Sequence, residues 1–297
     1  VATLEGATAA PLRRSTGRGA TLGLLSGPLV WLVLFFVVPV GYVAAYSVGA
    51  VSLFPSDAGV VSLDAWQRFF GDSIYLGLFW KSIRMSLTVS AVVVVLAYPV
   101  AYFLAMCVKK RKYVLLLLII APFLTSYLLR VLAWKVILGD GGVINSFLAW
   151  ANLREDPVTW LLYSQFTVML VLTYIWVPFV ALPIFVSLDN LDRSLVEAAS
   201  DLGAGRWRTF LRVTLPLSVP GVVAAFLFVF IPTIGEFVTP LLVGGTGGYM
   251  YGNAVNDLFT RSLQWQQGSV LALFLLAIVA ALMALFGRFV QVRSVSV

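Results

Sequence analysis

Apolar positions in this chain gather into long blocks with few charges, separated by shorter polar stretches. Six blocks reach the ~20 residues that an α-helix needs to cross roughly 30 Å of hydrocarbon. They run from about Leu22 to Tyr46, Ile83 to Val108, Tyr113 to Leu132, Leu161 to Val186, Leu217 to Val243 and Ser269 to Val290. The first follows Arg13, Arg14 and Arg18 as a signal peptide would. Its apolar core exceeds the roughly 7–15 residues of a signal h-region, so it is read as a retained span. The pattern therefore predicts an all-α polytopic membrane protein: a tail at 1–21, six transmembrane helices within 22–290, and a tail at 291–297. Pro99, Pro122, Pro178, Pro183 and Pro232 fall inside spans and predict kinks. Between spans three and four, Val143, Ile144, Phe147, Leu148 and Ala151 recur at helical spacing beside Asn145 and Asn152, as in a helix lying on the membrane surface. Trp66, Trp80, Trp150 and Trp160 in the outer connections suit the headgroup level.

Composition strengthens this picture. Of 297 residues, 61% are hydrophobic and 11% charged, and the mean hydropathy is +0.98. A soluble domain of that composition would expose large apolar patches. With no His and one Cys, Cys107, the chain lacks the means for a disulfide framework, a His/Cys zinc site or a His-based triad. Cys107, at the end of span two, is expected to be a small buried residue.

The charges give the direction of the spans. With the N-terminus inside, the inner segments hold 13 of the 20 basic residues, including the run from Lys109 to Lys112, against five acids. The outer segments hold seven basic residues and eight acids. The positive-inside rule then places both termini in the cytoplasm, and the net charge of +7 is a topology signal. No nucleic-acid partner is implied.

One inner loop, 189–216, is unlike a passive connection. Leu188, Leu191, Leu195, Ala198, Ala199 and Leu202 form an apolar stripe on one helix, which Gly203 would end. After Gly205, Trp207, Phe210, Leu211 and Thr214 start another helix, with Arg208 and Arg212 on a different face and Pro216 where span five begins. Small residues at Ala198, Ala199, Gly203, Ala204 and Gly205 would let another backbone approach closely. Physics alone leaves two alternatives: a docking element for a partner, or an ordinary amphipathic loop.

The loop closely resembles a known motif. Glu197-Ala198-Ala199, then Gly203, then Val213 and Leu215-Pro216 match E-A-A-x3-G-x9-I-x-L-P, the EAA loop of permease subunits of bacterial ABC importers, with Val213 replacing Ile. Segments 125–145 and 231–245 resemble the spermidine/putrescine branch of that family. The resemblance covers the chain after about Leu22 and implies a type I importer permease fold in the bacterial inner membrane, surrounded by lipid. It further implies that Glu197, Ala198, Ala199, Gly203 and Ala204 couple to a cytoplasmic ATPase dimer. A second permease would complete the pathway as a heterodimer, and an extracytoplasmic binding protein would deliver a small solute, a polyamine or alternatively an opine or amino acid. The chain itself would be non-catalytic and bind no cofactor, ATP and magnesium being used by the ATPase.

For the pathway, Glu236 stands out as a carboxylate well inside an apolar segment, near the outer end of span five. It could pair transiently with ammonium groups of a polycation, or be neutralised by Arg130 or Arg261. Tyr127, Thr125 and Ser126 in span three, and Asp257 at the outer side, are further candidates. The glycine clusters at 139–142 and 244–248 lack phosphate-loop spacing and read as turns. A secondary transporter would need midplane ion-coupling charges and repeated halves. An intramembrane enzyme would need convergent reactive groups. The sequence offers neither.

Overall fold

The computed structural model describes residues 18–52, 61–154 and 156–294. The expected tail up to residue 17, with Glu5, Arg13 and Arg14, lies outside these residues, as do Asp57, Glu155 and 295–297. Among the described residues all regular structure is helical. Helix α1 covers 18–47 with a π-turn at Val33–Val37, α2 is Asp64–Gly71 and α3 is Ser73–Cys107. Then come α4 (Lys112–Ile120, prolonged by a tight turn to Leu124), α5 (Tyr127–Leu138), α6 (Val143–Trp150) and α7 (Gln165–Asp189). The loop helix α8 is Arg193–Asp201, α9 is Arg206–Ile234, α10 is the short turn 238–244, α11 is Tyr251–Thr260 and α12 is Trp265–Ser294. Six helical segments are long and apolar enough to cross a membrane: Leu25–Ser47, Ser73–Cys107, Tyr127–Trp150, Gln165–Asp189, Arg206–Ile234 and Trp265–Phe286.

Helices α3, α7 and α9 pack on one another most extensively and form the centre. Lipid offers no hydrophobic drive between helices, so close contact depends on small side chains that let backbones approach. Val89, Val93, Ala97 and Ala101 of α3 supply such a face and meet Val168, Val171, Leu172 and Val180 of α7 and Ala225 and Val229 of α9 in one buried cluster. Between α9 and α7 the approach is closer still: a Cβ on Gly221 would lie 2.3 Å from the Ser187 Cβ. A second cluster joins Phe69 of α2, Phe79 of α3, Tyr251 and Leu258 of α11 and Leu271 of α12.

Three spans differ from the sequence expectation. The third was expected as one helix from Tyr113 to Leu132, but the chain breaks at Thr125–Ser126, both non-helical. Pro122 donates no backbone hydrogen bond, and the Thr125 hydroxyl donates to its carbonyl at 2.7 Å. Lys112 at the start of α4 bonds to Asp189, the last residue of α7, while Lys135 of α5 lies 5.7 Å from the ring of Tyr163, just before α7. Helices α4 and α5 together therefore reach from one end of α7 to the other. The fifth span was expected to continue to Val243, but α9 stops at Ile234 and the chain resumes as α10. Span two also starts earlier than expected, at Ser73, because Asp72 caps it by accepting from the Ile74 N–H at 2.8 Å.

Smaller expectations fared differently. Residues 143–150 are helical, with Val143, Phe147 and Trp150 exposed. Asn145 is a buried clamp, donating to the Gly139 carbonyl at 3.0 Å and accepting from the Val158 N–H at 2.8 Å. Cys107 is exposed rather than buried, because α3 ends on a π-turn that leaves it on the outward side.

Candidate functional site

The two ends of α3 mark opposite ends of the bundle, and the loop 189–216 lies at its C-terminal end. Asp192 starts α8 by accepting from the Ser194 N–H at 2.9 Å. Hydrogen bonds from Ser194 hold the Asp192 carboxyl below the ordinary aspartate value. The helix ends as the glycine requires: Gly203 has φ 78°, a left-handed conformation costly for residues with a Cβ, and the Ala204 N–H reaches back to the Ala199 carbonyl at 3.0 Å. Of the stripe expected on this helix, Leu188 is buried as part of α7. Leu195 and Leu202 project outward, Leu202 with 89% of its surface exposed. Glu197, Ala198 and Gly203 are exposed, and Ala199 and Ala204 half-buried.

This protruding helix is tied to the bundle at its base. The Arg193 guanidinium donates to the Ala105 carbonyl at the end of α3, at 3.2 Å. Asp189, just before α8, accepts from Lys112 and, at 3.3 Å, from the Tyr113 hydroxyl. The bond to Asp189 raises the Lys112 ammonium above the ordinary lysine value. On the other side of the turn, Phe210 stacks on Trp207 and meets the edges of Tyr98 and Tyr102 of α3. The Tyr98 hydroxyl lies 2.9 Å from that of Ser218. The base of α8 and the residues on either side of the loop thus contact the ends of α3 and α4.

At the other end, the break between α9 and α10 exposes free backbone donors, and Glu236 fills them. Its Oε1 accepts from the Val238 N–H at 2.8 Å and the Thr239 N–H at 3.1 Å. Glu236 is therefore a helix cap at a break, not a charge within a continuous span. The Tyr127 hydroxyl bonds to the buried Thr239 hydroxyl and neighbours Glu236 and Arg130. Two broken helices, α4–α5 and α9–α10, thus meet at their breaks. The Asn253 amide closes the α9 break by donating to the Phe237 carbonyl at 2.9 Å. Neither expected basic partner forms an ion pair with Glu236. Arg261 pairs with Asp257 at 3.3 Å, and Arg130 lies 4.8 Å over the Phe123 ring, with Nε and Nη1 buried and unpartnered.

The candidates drawn from the sequence thus divide. Glu236 and Tyr127 come together. Thr125 is occupied with Pro122, and Ser126 is an exposed residue of the same break. Asp257 is committed to Arg261 and to the Tyr249 hydroxyl at 2.9 Å; burial, and after it this contact, raises the Tyr249 pKa. Thr239 and Asn253 were missed. Gly235 after an apolar run and Pro240 five residues on are a stop and a start signal that could have located the break. Among the described residues no cluster of three Asp, Glu or Cys side chains could hold a metal ion.

Residues 97–294 match the family described as the binding-protein-dependent transport system inner membrane component. The chain belongs to that family. This permease is 33% identical over 262 residues to the spermidine/putrescine transport system permease protein PotB of Escherichia coli, covering 87% of the chain and 93% of the relative. It is 29% identical to the sn-glycerol-3-phosphate transport system permease protein UgpA of E. coli, over 76% of each. Its fold matches a chain of a bacterial ABC transporter that imports the acidic polysaccharide alginate, with TM-score 0.67, 18% identity, and 92% and 95% of the two chains covered. The protein is a multi-pass permease subunit of an ABC importer in the bacterial inner membrane.

Proposed function

We propose that this permease forms half of the translocation pathway for a polyamine of the spermidine and putrescine class. The observation that carries the reading is the 33% identity to PotB over 87% of the chain, against 29% over 76% for the sn-glycerol-3-phosphate permease. The cluster at the helix breaks supports it. Glu236 offers a carboxylate that is already half satisfied by backbone donors, so a passing ammonium meets a moderate attraction and can leave again. Tyr127 and Thr239 supply neutral oxygens beside it.

In this reading both termini are cytoplasmic, and residues 197–204 dock into a cytoplasmic ATPase dimer that binds ATP and magnesium. A second permease completes the pathway, and an extracytoplasmic binding protein delivers cargo to the outer loops. Closure of the ATPase dimer shifts α8, and the tether from Arg193 and Asp189 carries the shift to α3 and α4, biasing the bundle toward an outward-open state. This chain performs no covalent chemistry. A second reading, import of an amino acid or opine, draws on Arg130, whose unpartnered guanidinium nitrogens would suit a carboxylate.

Uptake of radiolabelled spermidine separates the two. Deletion of the gene should abolish uptake, complementation should restore it, and excess putrescine should compete where glutamate and octopine do not. Competition by either of the last two would overturn the polyamine assignment and leave the permease assignment standing.

A further inference from the structure

At the end of the bundle opposite α8, the start of α12 and the end of α1 enclose a polar recess that the transport reading does not use. It has two chambers, of about 260 and 480 Å³, which share Arg68, Gln264 and Gln267. Gln267 is only 7% exposed, and its amide Nε2 is buried without a hydrogen-bond partner. The indole N–H of Trp265, lining the smaller chamber, is likewise buried and unpartnered. Unsatisfied buried donors are costly, so two of them on side chains that line one recess, beside a guanidinium, point to a missing acceptor.

Arg68 leaves its charge available: its Nε makes only a long bond, 3.4 Å, to the Asp64 carbonyl. The carboxylate in the larger chamber, Asp72, already caps α3 through Oδ1. The chemistry required is therefore an anion with several acceptor oxygens. Its surroundings select the source. Leu63 and Phe70 of the neighbouring segment and Ile74 of α3 are apolar and exposed. The first span, which forms one wall, has only 6% of its apolar window buried within the chain. Donors in a recess at a helix end, on segments whose neighbouring positions carry uncovered apolar side chains, match a lipid headgroup with its acyl chains alongside.

We propose that this recess binds the phosphodiester of a membrane phospholipid, held by Arg68, Gln267 and Trp265. Placing that lipid in the outer leaflet rests on the topology proposed above, whereas binding itself does not. The test is native mass spectrometry of the full chain, delipidated in detergent and titrated with dioleoyl phosphatidylglycerol. One lipid should be retained, with affinity about tenfold weaker in Arg68→Gln and severalfold weaker in Gln267→Leu. Arg68→Lys should stay close to the parent, and the control Arg261→Gln should match it. If Arg68→Gln does not elute as a monodisperse species, Gln267→Leu carries the test. Undiminished retention in the folded variants would overturn the proposal. So would equal competition by inorganic phosphate, which assigns the site to the free ion, or by hexaglutamate, which assigns it to an acidic protein loop. Failure of the topology would leave these affinities unchanged and appear only in labelling of the intact membrane.

Discussion

Glu236 holds two roles that substitution can separate. As a cap it needs only an acceptor oxygen for the Val238 and Thr239 N–H groups, which Gln retains; as a cation site it needs the charge. Glu236→Gln should therefore leave the thermal unfolding midpoint in detergent nearly unchanged while slowing spermidine uptake about tenfold, the difference between a charged and a neutral hydrogen-bond acceptor. Glu236→Ala should lose both, with a cap loss of about 1 kcal/mol. Uptake unaffected by Gln would remove Glu236 from the pathway. Asp192 caps α8 as an ionised group whose pKa is depressed by Ser194. Its contribution is complete above the ordinary value of 3.8 and is lost as pH falls through that value toward the lower folded one. Hydrogen-exchange protection of Ser194 and Leu195, corrected for intrinsic rate, should hold from about pH 7 to 5 and fall severalfold below about pH 4. Asp192→Ala should show the low protection at every pH, and a flat profile in the parent protein would exclude the cap.

At the scale of elements, the close approach of α7 and α9 is a steric requirement. A side chain at Gly221 must displace Ser187, since even a Cβ would meet it at 2.3 Å. Gly221→Leu should destabilise the bundle by about 1–3 kcal/mol or more, read as a lowered unfolding midpoint. An exposed glycine such as Gly141, with nothing within 4 Å of its Cβ position, should tolerate Ala without loss. Long apolar runs and one local motif made the six spans and the loop at 189–216 legible in the sequence. Breaks within spans were not, because hydrophobicity is blind to backbone direction. Pro178 and Pro183 sit inside a continuous α7, whereas the chain leaves the helix soon after Pro122 and Pro232. What separates these cases is tertiary: the Glu236 carboxylate and the Asn253 amide, the latter 19 residues beyond the last helical residue Ile234, satisfy the α9 break. The meeting of Tyr127 with Thr239 is likewise a contact between segments 112 residues apart.

For the whole molecule, orientation and coupling follow from the same end of the bundle. Cys107 is the single cysteine, exposed, and two residues from the Ala105 carbonyl that Arg193 engages. In right-side-out spheroplasts a membrane-impermeant maleimide should label it only after permeabilisation; labelling of intact spheroplasts would invert the topology. The Lys112–Asp189 pair joins the first turn of α4 to the last residue of α7, where α8 departs. In the proposed mechanism this pair makes α4 follow α8, and α4 leads directly into the break beside Glu236 and Tyr127. Because the pair raises the Lys112 pKa above 10.5, the lysine is fully charged at neutral pH, and its side of the link is lost as pH rises through that raised value. Transport should therefore show no titration from this lysine between about pH 6 and 9. Lys112→Asp and Asp189→Lys should each place like charges together and reduce cargo-stimulated ATP hydrolysis severalfold in the reconstituted importer, with membrane insertion retained. The double exchange restores opposite charges and should recover most of the stimulation, the non-additivity that identifies a direct interaction. If the double variant is as impaired as the sum of the single ones, the link between α8 and the pathway runs through Arg193 and α3 instead.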